Sequence, residues 1–155
     1  MMRQNLPPVI LRRATSEDAL TVLRWRNDPR TVSASLSQKA APVDGHLRWW
    51  NNALNGESTV LLMLEDSGDL VGHLCLLNAG DKAWEVCVIV DPDERGQGYG
   101  GLALCMLAWF GQPDKYISYV RPQDLALQRV FAGAGFSPVG FETRDGVVVG
   151  RYERM

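Results

Sequence analysis

Two periods of apolar spacing alternate along this chain. Residues 9–13, 59–65, 70–77 and 84–90 are short apolar and β-branched runs bounded by turn formers, the first of them following Pro7 and Pro8, and they predict strands. Ser67-Gly68-Asp69 and Asn78-Ala79-Gly80-Asp81 separate the last three runs with turns of hairpin length, so these strands should form an antiparallel meander. Helical spacing takes over elsewhere. Thr15 or Ser16 caps a helix with acids in its first turn, which should run to about Asp28 and stop at Asn27-Asp28-Pro29. Ala19, Val22, Leu23 and Arg26 lie on one stripe of it, so Arg26 should continue an inward face and require an anionic partner or a ligand. Residues 31–42 read as a loop. Residues 45–56 (GHLRWWNNALNG) predict a second helix ended by Gly56, with Leu47, Trp50 and Leu54 toward the core and His46 and Trp49 nearer its margin.

Residues 102–110 are apolar on every side, as in a helix buried against a sheet. Residues 115–120 then predict a strand, 125–135 a helix with a glycine exit, and 136–142 with 147–152 a closing hairpin turning at Asp145-Gly146. The order is that of a mixed α/β layer, and 155 residues are most simply one domain, 1–155.

Composition narrows the classes. The formal net charge is −2 and the basic residues are scattered, which argues against a nucleic-acid partner. Cys75, Cys87 and Cys105 sit in apolar stretches without paired metal-ligand spacing, so neither a metal nor a disulfide framework is expected, and a reducing cytoplasm is the expected location. The first residues carry no continuous apolar segment and the longest apolar run is about half of a bilayer crossing, so no membrane association is expected and the protein should be soluble.

Candidate chemistry begins at DPDERGQGYGG, residues 91–101. Gly96, Gly98 and Gly101 satisfy G-x-G-x-x-G, yet the context is wrong for a dinucleotide: residues 91–95 separate strand from glycines, Arg121 lies near the place of the ribose acid, and the preceding strands are joined by hairpins rather than helical crossovers. No G-K-[ST] follows, which excludes a P-loop. VIVDPDERGQGYGG followed by VRPQDLALQRVFAGAGF resembles instead the GNAT superfamily of acyl-CoA-dependent N-acetyltransferases, and with the strand order the resemblance covers nearly the whole chain.

The resemblance implies a central, mostly antiparallel mixed sheet of about seven strands with helices on both faces. It also implies acetyl-CoA as co-substrate, without a metal. Arg95, Gly96, Gln97, Gly98, Tyr99, Gly100 and Gly101 would hold the coenzyme A pyrophosphate, where helix N–H groups meet a dianion, and Val88, Ile89 and Val90 would offer backbone groups to the pantetheine arm. Asp124 and Phe131 occupy cofactor-side positions where the family carries Asn and Tyr; Asp124 can also cap its helix, and Phe131 donates no proton. The implied reaction is direct attack of a neutral amine on the thioester, needing a base and a proton donor. Glu85 is the candidate base and Tyr119 the substitute donor, with His46 and His73 as further titratable groups. Glu85, Cys87 and Ile89 share one strand face and Trp84, Val86, Val88 and Val90 the other, and the pattern leaves open which meets the cleft.

On the acceptor side, LRWRNDP and GHLRWW resemble the branch that includes amino-sugar and ribosomal-protein N-acetyltransferases. Arg26, Asn27, His46 and Trp49 are then the candidate acceptor residues, with a small-molecule amine, a nucleotide-linked amino sugar, as acceptor. Acetylation of a protein N-terminus and a non-catalytic acyl-CoA sensor are the alternatives. The closing hairpin offers a pairing edge for a homodimer.

Overall fold

The computed structural model describes residues 8–110 and 113–155. Expectations that fall on residues 1–7, Pro7 before the first strand and the lack of an apolar segment among them, lie outside the described residues. Among the described residues seven strands form one sheet: β1 (Val9–Arg13), β2 (Thr59–Asp66), β3 (Asp69–Gly80), β4 (Ala83–Val90), β5 (Lys115–Val120), β6 (Ser137–Arg144) and β7 (Val147–Arg154). Their order is β1-β2-β3-β4-β5-β7-β6. The expected meander from β2 to β4 is present, and only β4 and β5 run parallel. Hairpin turns carry the left-handed residues that two-residue connections need: Asp81 and Lys82 between β3 and β4, Asp145 and Gly146 between β6 and β7. The first of these turns falls later than the spacing predicts, because a bulge between Asn78 and Gly80 lets β3 run on to Gly80.

Among the described residues there are five α-helices, α1 (Ala19–Arg26), α2 (Pro29–Ala34), α3 (Val43–Asn55), α4 (Tyr99–Met106) and α5 (Leu125–Gly133), of which α1 and α3 pack on one face of the sheet and α4 and α5 on the other. β2 reads Thr-Val-Leu-Leu-Met-Leu-Glu-Asp because it is covered on both sides. Leu62 and Leu64 join Leu74, Val86, Tyr116, Phe131 and Phe136 beneath α4 and α5, whereas Leu61 and Met63 join Val22, Trp25, Trp50 and Cys75 beneath α1 and α3. Trp50 is the keystone of the second cluster, fully buried with its Nε1–H donating to the Thr15 carbonyl at 2.9 Å.

Four sequence expectations need correction. Asp28-Pro29 starts a helix as well as ending one: the Asp28 carboxylate accepts the Arg30 N–H and Pro29 supplies a preset φ, so α2 occupies part of the expected loop. Arg26 does not continue the inward stripe of α1. Trp25 is buried in its place, and Arg26 extends outward over the Trp49 ring, its guanidinium donating to His46 Nδ1 at 3.3 Å. His46 is not marginal but 2 % exposed, because its ring bridges α3 to α1 through the Ala19 carbonyl at 2.8 Å. Finally, residues 102–110, which α4 and a 3-10 turn at Leu107–Trp109 share, are buried on one side only: Ala103, Leu104 and Leu107 face the core while Leu102 and Trp109 face outward.

His73 lies between the α1–α3 layer and the sheet, its Nδ1–H donating to the Leu62 carbonyl at 2.9 Å. Burial pushes its pKa down from 6.5 to about 4. The unfolded chain therefore takes up a proton on this ring below about pH 6.5 that the folded chain refuses until about pH 4. Stability present above pH 6.5 is lost as the pH falls through that window, by about 3 kcal/mol at roughly 1.4 kcal/mol per unit. Urea unfolding across this range will show the decline, and His73→Gln will flatten it; an equal slope in both proteins would assign the acid sensitivity to other groups.

Candidate active site

Parallel pairing between β4 and β5 covers only Ala83–Glu85 against Lys115–Ile117. At the next position the Val86 carbonyl accepts a hydrogen bond from the buried Ser118 hydroxyl at 3.0 Å, and beyond it the two strands part. The Asp91 N–H bonds the Val71 carbonyl, so by antiparallel alternation Cys87 and Ile89 spend their backbone groups on β3. Val88 and Val90 present theirs to the open side of the fork. Ile89 lines the cleft, but its backbone groups are committed to β3, which narrows the expected trio of backbone contacts to two.

The fork opens into a cleft of about 1080 Å³, walled by the residues after β4, the first turns of α4 and α5, and α2. The sequence dictates the local geometry of the first wall. Gly96 and Gly98 adopt φ of 81° and 85°, which turns the chain sharply into α4. The first internal bond of α4 runs from the Leu102 N–H to the Gly98 carbonyl, and no side chain caps the helix, so the N–H groups of Tyr99, Gly100 and Gly101 are left to meet a ligand. Gly100 allows close packing: a Cβ there would stand 3.2 Å from Val130 and 3.4 Å from Val90. Gly101 differs, since a Cβ on it would meet nothing within 4 Å. A bare, uncapped helix N-terminus facing a cleft fits an anionic phosphate group. Tyr99 closes the side of this wall, its hydroxyl donating to Asp66, whose carboxylate pushes the phenol up to about 12.

Arg95 lines the cleft and donates to Asp28 at 2.7 Å and to the Thr31 hydroxyl at 3.0 Å. This pairing holds the Asp28 carboxyl below its ordinary range. Arg121, at the end of β5, donates to the Ser35 and Leu36 carbonyls, both at 2.9 Å. Thus α2 is fastened to both sides of the fork. Asp124 caps α5 by accepting the Leu127 N–H at 3.0 Å and also lines the cleft. Phe131 is 1 % exposed and stacks edge-on against Phe136, so the structure places it in the core and not on the cofactor side of the cleft; without a hydroxyl it has no reason to reach water. Gln97 turns to Glu94 at 2.8 Å, and Asn27 is taken by the Ala41 backbone through both ends of its amide.

The face of β4 that carries Glu85 and Cys87 is the one opposite α4 and α5, and the same face of β5 carries Tyr119. Arg144 and Arg151 rise beside them from the closing hairpin. Arg151 is held firmly, by Glu153 at 2.7 Å and Glu142 at 3.1 Å, and its Nη1 reaches the Tyr119 hydroxyl oxygen at 3.4 Å. Arg144 stands 3.9 Å over the Tyr119 ring and 3.8 Å from the Glu85 carboxylate. Glu85 and Tyr119 are therefore brought together at the root of the fork, on the face away from α4. Among the described residues no group of three or more His, Cys, Asp and Glu is arranged to hold a metal.

Sequence reasoning passed over Ser118 and Arg144, and met Arg121 only as a misfit to a dinucleotide site. Ser118 had a signal: it is a hydroxyl between Tyr116 and Val120 on an otherwise apolar strand face.

The Acetyltransferase (GNAT) domain model matches residues 9–137. No curated protein sequence matches the chain significantly. Similar solved structures include the aminoglycoside acetyltransferase AAC(6')-Ib in complex with ribostamycin and coenzyme A, at 19 % identity and a TM-score of 0.82, covering 95 % of this chain and 93 % of that one. A ribosomal alpha-N-protein acetyltransferase, RimL, in complex with coenzyme A aligns at 15 % identity, a TM-score of 0.81 and the same coverages. A variant of the spermidine N-acetyltransferase SpeG of Vibrio cholerae aligns at 16 % identity and a TM-score of 0.79, again over 95 % and 93 %. At such identities the likeness is one of fold. The family model spans most of the chain and includes both walls of the cleft, and the chain belongs to the GNAT acetyltransferase domain family.

Proposed function

We propose that this protein moves an acetyl group from acetyl-CoA to the primary amine of a nucleotide-linked amino sugar by direct attack. The observation that carries the reading is the fork: unspent backbone groups of Val88 and Val90 lead from its root to the uncapped start of α4. Acetyl-CoA, when bound, supplies an acyl group activated by a thiolate leaving group. The N–H groups of Tyr99, Gly100 and Gly101 hold the pyrophosphate, and Val88 and Val90 hold the pantetheine amides as an added strand would. Glu85 receives a proton from the acceptor's ammonium, so that a neutral amine attacks. Tyr119 gives its proton to the departing sulfur, while Arg151 donates to its oxygen and leaves its O–H free to turn toward the fork. A C–N bond forms and a C–S bond breaks; the nitrogen gives up two protons, one to Glu85 before attack, which then passes to solvent, and one after attack, which restores the Tyr119 phenol that has protonated the sulfur.

The charge pattern on the acceptor side supports a partly anionic acceptor. Glu142 and Glu153 are held by Arg151, whereas Glu85 meets Arg144 only at 3.8 Å, so one carboxylate is available here to an ammonium where a polyamine would engage several. Arg26 has no carboxylate partner among the described residues, and it lies with the half-exposed Trp49 at the edge of the α1–α3 layer. An exposed ring beside a free guanidinium suits a base and its phosphate.

Thiol release from acetyl-CoA tests this. Nucleotide-linked amino sugars are expected to be the fastest acceptors in a panel with free-N-terminal peptides and spermidine. Faster turnover of peptides would replace the sugar by a protein N-terminus, and coenzyme A binding without thiol release from any amine would make the domain a sensor.

A further inference from the structure

Arg144 is held differently from its neighbour. Arg151 has two carboxylates within hydrogen-bonding distance, whereas the Arg144 guanidinium makes no hydrogen bond among the described residues. What it has is the open face of Tyr119 at 3.9 Å and the Glu85 carboxylate at 3.8 Å. An aromatic face with a carboxylate beside it is a general recipe for a cation site, because ring quadrupole and charge attract from two directions. Here the recipe is assembled from two strands at the root of the fork, Glu85 being the last β4 residue paired with β5 and Tyr119 following the Ser118 that closes the ladder. The guanidinium that fills it comes from the last residue of β6, directly before the tight turn at Asp145-Gly146.

We infer that Tyr119 and Glu85 form the acceptor's ammonium site, and that Arg144 occupies it as a stand-in cation until the acceptor displaces it. This rests on the acetyl-transfer reading for its substrate, but the site itself is defined by binding alone. Displacement is feasible because the side chain is partly exposed and its two contacts are of the weak kind, a cation over a ring and an ion pair beyond hydrogen-bonding distance. The arrangement also selects. A neutral sugar gains nothing by displacing a guanidinium from a carboxylate, whereas an ammonium replaces the charge it removes.

The test is a titration of the full chain with D-glucosamine, and with N-acetyl-D-glucosamine as the uncharged control, followed on the Tyr119 ring resonances without acetyl-CoA. The resonances are assigned with Tyr119→Phe. In Arg144→Ala, glucosamine is expected to bind about fivefold more tightly than to the unsubstituted protein, the cost of displacing one exposed cation. N-acetylglucosamine should gain nothing. Coenzyme A affinity reports the fold, and Arg144→Gln, which keeps most of the stem, repeats the measurement if the alanine variant is unstable. Unchanged or weaker glucosamine binding in the variants, or an equal gain for the uncharged sugar, overturns the inference. Tighter glucosamine binding with no thiol release from any amine of the acceptor panel would uphold the ammonium site while sinking acetyl transfer, so the two failures are distinguishable.

Discussion

Gly101→Asp will lower coenzyme A affinity by at least about 100-fold and leave the protein as stable as before. The fold has room for the side chain, since a Cβ at Gly101 meets nothing within 4 Å and the position is not left-handed. An acid in the first turn of α4 is favoured by the helix dipole by roughly 0.3–1 kcal/mol, and glycine is a poor helix former there. The same carboxylate would project into the cleft beside the free N–H groups of Tyr99, Gly100 and Gly101. There it would accept from those donors and repel the pyrophosphate; a like charge at about 4 Å costs roughly 4 kcal/mol at the effective dielectric of a protein surface, more than the ~2.7 kcal/mol of a 100-fold loss. Calorimetric titration with coenzyme A, alongside thermal unfolding, measures both parts. Intact affinity with an intact fold would mean that the glycine wall does not hold the pyrophosphate.

Trp50→Ala is the substitution expected to do most harm to the fold. The ring is fully buried, lies 5.4 Å from His73 and 5.7 Å from His46, and its Nε1–H ties α3 to the Thr15 carbonyl ahead of α1. Removing it should cost about 3–5 kcal/mol from the cavity, and roughly 1 kcal/mol more from the orphaned carbonyl. For a domain of this size that is a fall in melting temperature of about 10 °C or more. Trp49→Ala, one residue earlier, should lower it by far less, because that ring is 37 % exposed and touches His46, Trp50 and Arg26 only from the helix surface. Equal losses at the two positions would refute the assignment of Trp50 as the keystone of this layer.

The two tryptophans also mark how far the sequence could be read. Trp50 with Leu47 and Leu54 was legible as an inward face because α3 is long and strongly amphipathic. α1 has eight residues, and on so short a helix a stripe chosen by spacing has few positions to support it; Trp25 took the inward place assigned to Arg26. Gly96, Gly98 and Gly100 of the glycine wall stand where positive φ or close approach asks for glycine, whereas Gly101 meets neither requirement. What stayed hidden were contacts between segments far apart in the chain. Arg121 grips Ser35 and Leu36, and Arg144 lies over Tyr119. Neither follows from periodicity, because a long side chain with a charged tip can serve many neighbours and only the tertiary arrangement chooses among them. The place of Glu85 depended on the parity of one strand, which the burial of Val86 under α4 and of Cys75 under α3 resolves.

The fastening of α2 bears on the width of the active site. Arg95 belongs to the chain that leaves β4 and grips Asp28 and Thr31, while Arg121 belongs to the chain that leaves β5 and grips Ser35 and Leu36. Between the two grips lies one six-residue helix, a rod about 9 Å long. The gape of the jaws is thereby gauged by a strut, and sequence changes that lengthen or shorten this strut by one residue would reset it in steps of about 1.5 Å while turning its cleft-facing side by roughly 100°. A change in α2 would then reset the width of the cleft without touching the glycines of its first wall or the strands of the fork.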